Sequence, residues 1–117
     1  MKTIKLYGIT NCATVKKARA WLDERGIGYE FHDFKQHGVD RVLLARWSEA
    51  LGWEVLVNRK GTTWRKLDDA ARAAVVDADS AILQLLATPS LIKRPVLDIN
   101  GRIVAGFTPE LYESLFQ

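Results

Sequence analysis

Two hydrophobic periods run along this chain, and they switch where glycine and proline fall. Residues 3–7 overlap an apolar stretch, Ile4 to Ile9, interrupted by Lys5, and read as a first strand. From Thr14 to about Arg25 the spacing becomes helical, with Val15, Ala18 and Leu22 on one face and Lys16, Arg19 and Asp23 on others; Gly26 and Gly28 end the helix. Tyr29 to Phe34 alternates bulky apolar with polar residues and reads as a second strand. A crossover this short predicts parallel strands. The middle of the chain keeps a helical spacing over Val42 to Leu51, Asp68 to Val76 and Ser80 to Ala87, interrupted at Gly52, Gly61 and Asp77 to Asp79. After Pro89, the segments Pro95 to Ile99 and Arg102 to Ala105 read as strands joined by the tight turn Asn100–Gly101. Pro109 then opens a last amphipathic helix carrying Leu111, Leu115 and Phe116.

The summed order, β-α-β, a helical stretch, then β-β-α, predicts an α/β fold with a small mixed sheet. It is the thioredoxin-like order, with a helical insert over about residues 38–90 of a single domain. In that arrangement the end of the first strand lies beside the turn into the third, which makes neighbours of Cys12 and Pro95, 83 residues apart (95 minus 12). At 117 residues the chain is long enough to bury a core without disulfides or a structural metal.

Cys12 is the only cysteine. No internal disulfide can form, which suits a reducing, cytoplasmic setting. Met1 to Tyr7 lacks the continuous apolar stretch of a signal peptide, and no transmembrane run is evident. The net charge of +3 comes from 17 basic and 14 acidic residues that intermingle, so no basic tract points to direct nucleic-acid binding. His32 and His37 with one cysteine make no metal-ligand set. Trp21, Trp47, Trp53 and Trp64 read as packing residues, and Asp68 and Asp69 as acids at a helix start. Gly52 reads as a helix-ending glycine, with close approach of a partner backbone as the alternative.

Position gives Cys12 its interest. It falls where an apolar strand gives way to a basic amphipathic helix, and a thiol there faces unpaired N–H groups and the positive end of the helix dipole. Both favour thiolate over thiol. The competing reading, a small buried hydrophobe, stays open on residue type alone. Lone cations beside glycine or proline, Arg59 and Lys60 before Gly61 and Lys93 and Arg94 before Pro95, occupy loop positions from which a side chain can point into a site.

Three stretches carry a family resemblance. Tyr7 to Ala18, followed by Trp21 and Leu22, resembles the cysteine loop of the arsenate-reductase-related (ArsC) family; Asn58 to Gly61 with Trp64 resembles its central arginine loop; Leu91 to Leu97 resembles its second arginine beside a cis-proline. Within the family the chain is similar to the ArsC/Spx-related, YffB-like branch, without a Cys-x-x-Cys motif. The resemblance implies a nucleophilic Cys12, with Arg59 and Arg94 binding an oxyanion or glutathione. Asn11 and the backbone of Ala13 and Thr14 would donate hydrogen bonds to the sulfur, and Pro95 would present a backbone edge to a peptide ligand. Two guanidiniums hold carboxylates by paired donors in a way lysine does not. Gly106 stands where arsenate reductases of this type carry a third arginine, which argues against arsenate as substrate. With no second cysteine, any cycle needs an external thiol. The expectation is a glutathione-dependent single-cysteine thiol reductase with no bound cofactor, its Cys12 adduct released by glutathione or a glutaredoxin. The alternatives are an RNA-polymerase-binding regulator and a glutaredoxin-dependent arsenate reductase.

Overall fold

A computed structural model describes residues 3–117; Met1 and Lys2, part of the stretch read for a leader, lie outside the described residues. The order is β1 (Ile4–Gly8), α1 (Ala13–Glu24), β2 (Glu30–Asp33), α2 (Phe34–His37), α3 (Arg41–Leu51), α4 (Trp53–Leu56), α5 (Thr62–Lys66), α6 (Asp69–Ala73), α7 (Ala78–Ala87), a 3₁₀ turn (Pro89–Leu91), β3 (Val96–Ile99), β4 (Arg102–Ala105) and α8 (Pro109–Leu115). The described residues form two compact units, one of residues 3–34 with 94–117 and one of residues 35–93.

The first unit holds the sheet, in the order β2-β1-β3-β4. β1 runs parallel to β2 with Leu6 opposite Phe31, and antiparallel to β3 with Leu6 opposite Leu97. The strand period of two puts Ile4 and Leu6 on one face, where they pack with Ala18, Trp21 and Leu22 of α1, Leu97 of β3 and Tyr112 of α8. The Asn100–Gly101 turn between β3 and β4 has φ of 51° and 93°, the left-handed pair that a two-residue hairpin requires. α1 stops in a Schellman motif: Gly26, at φ 65°, donates to the Asp23 carbonyl at 3.1 Å, and Ile27 donates to that of Leu22 at 3.0 Å.

In the second unit α3 packs on α4 and α7. Trp47, Leu44, Leu56 and Leu85 are fully buried. Side-chain caps start α3, α6 and α7, Asp40 accepting from Leu43, Asp68 from Ala71 and Asp77 from Ser80. Gly52, at φ 86°, ends α3 by donating to the Ser48 carbonyl at 2.7 Å. An isolated bridge pairs Val57 with Ile92.

The sequence reading differs from the structure at element ends. Phe34 opens α2 rather than closing β2, because its fully buried ring turns the chain inward. The helix expected over Asp68 to Val76 stops at Ala73, before the β-branched Val75–Val76 pair. α4 and α5 were not expected; at four and five residues they are too short to show a period.

Candidate active site

The cysteine loop is built from β1 outward. Gly8 ends β1, and a Cβ there would lie 2.7 Å from Val15 Cγ2 and 3.1 Å from Cγ1. Only glycine lets the first turn of α1 close onto the strand end. Beyond it, Asp33 at the end of β2 is 6% exposed and accepts from the Thr10 N–H at 3.1 Å and from Thr10 Oγ1 at 2.5 Å. A buried carboxylate needs such donors, and here they fix the residue two positions before the cysteine.

Cys12 is the N-cap of α1, extended at φ −136° and ψ 124°, and its carbonyl accepts the Lys16 N–H at 2.9 Å. The side chain is half-buried. Burial is the largest single influence on the thiol and raises its pKa. Against it act the Val15 N–H, the hydrogen bond and charge of Arg94, and the Thr14 N–H, and together they hold Cys12 below the ordinary cysteine range. The large, soft sulfur closes no strict capping hydrogen bond of the kind oxygen makes, yet the N–H dipoles still favour its anion.

The structure thus brings Cys12, Thr14 and Arg94 together. Val15, absent from the sequence-derived set, acts on the sulfur, while Ala13 and Asn11 are exposed and do not figure among the groups that shift it. The reason is geometric: an N-cap side chain reaches the second and third helical amides, not the first. Helix register would have pointed to Val15 in advance. The Arg94–Pro95 peptide bond is cis. Pro95 is buried and its carbonyl already accepts the Gly106 N–H at 2.8 Å, so the backbone edge it offers a peptide ligand is partly occupied. Gly106 itself sits at φ 82°, a backbone that an arginine adopts only at a cost of about 1–2 kcal/mol. Arg59 belongs to the second unit, is exposed, and lies 5.9 Å over the Trp53 ring.

Fold and site together define a thioredoxin-like α/β protein with one helix-capping thiol beside an arginine. Residues 7–115 match the ArsC family, and the chain belongs to that family. An uncharacterised protein of Haemophilus influenzae is 40% identical over 113 residues, covering 97% of this chain and 98% of its own length. The global transcriptional regulator Spx of Staphylococcus aureus is 28% identical over 114 residues, 92% of this chain and 82% of its own. Among solved structures, a YFFB protein superimposes with a TM-score of 0.93 at 50% identity, over 98% of this chain and 100% of the other. An arsenate reductase (ArsC) related protein from Brucella melitensis gives a TM-score of 0.78 at 49% identity, over 98% and 95%. No helix among the described residues is long and apolar enough to cross a membrane.

Proposed function

We propose that this protein is a single-cysteine thiol oxidoreductase that uses glutathione as cosubstrate in the reducing cytoplasm. The observation that carries the reading is a helix-capping thiol held below its ordinary range by backbone N–H groups and Arg94, in a chain with no other cysteine. The Cys12 thiolate attacks a glutathione mixed disulfide; a bond forms between Sγ and the glutathione sulfur, the mixed disulfide breaks, and the protein substrate leaves as its thiolate. A second glutathione thiolate, or a glutaredoxin, then attacks the Cys12 adduct, restoring the Cys12 thiolate and releasing a disulfide. Electrons are conserved at each exchange. A thiol acidic enough to ionise and still nucleophilic suits both steps. Arg94, beside the sulfur, keeps the thiolate charged and offers paired donors to a glutathione carboxylate. Membership of the ArsC family and likeness to an arsenate-reductase-related protein support thiol chemistry. Gly106 in place of a third cation disfavours arsenate.

Intact mass after exposure to glutathione disulfide tests the reading. The wild type is expected to gain one glutathione and lose it on adding reduced glutathione, while Cys12→Ser gains none; a wild type that stays unmodified would remove its basis. Likeness to Spx supports a second reading, an interaction protein that binds RNA polymerase. Gly52, the residue that favoured it in the sequence, acts as a helix end. Recovery of RNA polymerase from cell extract, independent of Cys12, would establish that reading instead.

A further inference from the structure

The second unit carries a cleft of about 260 Å³ lined by Glu54, Asn58, Arg59, Lys60 and Lys93 over the aliphatic Val55 and Val57. Three cations and one carboxylate meet on it. Their backbone is fixed from both sides. Asn58 donates to the Leu91 carbonyl and Lys93 to that of Leu56, each at 2.8 Å, flanking the Val57–Ile92 bridge. Lys60 is held by the Asn58 side chain, which accepts its N–H at 3.3 Å, and by the Arg65 guanidinium, which donates to its carbonyl at 2.9 Å. Arg72 in turn donates to the Arg65 carbonyl at 3.0 Å. The cations therefore stand on an ordered floor, and their side chains project from it without an ion pair to Glu54 at salt-bridge distance among the described residues.

From this we infer that the cleft recognises an α-amino-acid head group, Glu54 taking its ammonium and Lys60, Lys93 and Arg59 its carboxylate. The volume suits one such group rather than a folded partner surface. Glu54 repels a multiply charged oxyanion and gives an ammonium its partner, while the two lysine point charges and the Arg59 guanidinium supply donors for the carboxylate. Among peptide thiols, one with an unblocked γ-glutamyl end presents this zwitterion. The inference rests on the glutathione reading above and names Glu54, Lys60 and Lys93 as its specificity determinants.

The experiment titrates the full chain with S-methylglutathione, which cannot form a disulfide, and follows backbone amide shifts. Expected are shifts at Asn58 to Lys60 and at Lys93, and a Kd at least fivefold weaker in the Lys60→Gln/Lys93→Gln double variant. The hydrogen bonds of both lysines described above are made by backbone atoms, so the variant keeps its floor. N-acetylation of the ligand, which removes the ammonium, is expected to weaken binding to the wild type but not to Glu54→Gln. Binding with an unchanged Kd in the double variant, or shifts confined to Thr10–Thr14 and Arg94, would overturn the cleft assignment and leave the glutathione reading intact. Absence of binding while the Cys12 adduct still forms would do the same. Absence of both would overturn the two together.

Discussion

Tyr112 buries a phenol hydroxyl that has no hydrogen-bond partner among the described residues, in a ring cluster with Trp21 at 5.6 Å and Phe107 at 4.6 Å. Burial pushes its pKa well above the ordinary tyrosine range. A raised acid is held neutral by the fold, so its contribution to stability is fully present below the unfolded tyrosine pKa of about 10 and is lost as pH rises beyond it. Tyr112→Phe keeps the ring contacts and removes the orphan hydroxyl; urea unfolding at pH 7 is expected to show it equal to the wild type or more stable by about 1 kcal/mol. Above pH 10 the gap should widen in favour of the variant. Cys12 has the opposite sign: its lowered pKa stabilises the fold above the unfolded thiol pKa, and that contribution is lost as pH falls through the folded value. The position of Cys12 at a strand-to-helix junction was legible in the residues. The missing partner of Tyr112 was not, because a hydroxyl's neighbours depend on three elements, α1, α8 and the segment that carries Phe107, meeting in space.

The junction of β1 and α1 is the element on which the site depends, and its tightness comes from one absent side chain. Gly8→Ala would drive a Cβ to 2.7 Å from Val15, a residue stiff at χ1 that cannot swing away. It should cost about 1–3 kcal/mol and lower Cys12 reactivity together with stability. In the Gly8→Ala/Val15→Ala double variant the loss, read from urea midpoints, should be smaller than the sum of the single losses, as expected of two groups in direct contact. Strands and long helices were legible because their periods extend over several turns or carry explicit stops, such as Gly26 after α1 and Asn100–Gly101 between β3 and β4. α2, α4 and α5 were not legible. Each spans four or five residues, too few to show a period, and α2 and α4 owe their place to the buried side chains of Phe34 and Leu56.

Over the whole molecule, the sheet unit assembles from two stretches, residues 3–34 and 94–117, and so joins Cys12 to Arg94 although the sequence sets them 82 residues apart (94 minus 12). The β-α-β and β-β-α halves made that pairing legible, since β1 and β3 had to be neighbours with Tyr7 opposite Val96. The charge environment of the sulfur follows from the pairing. The lone cysteine then makes turnover dependent on a thiol from outside the chain. One measurement tests this most directly, the rate of Cys12 alkylation against pH in the wild type and in Arg94→Ala. The wild-type thiol should titrate below an ordinary cysteine and the variant should titrate higher. A wild-type cysteine that titrates like a free thiol, or a variant with an unchanged profile, would contradict the assignment of Cys12 as an arginine-supported nucleophile.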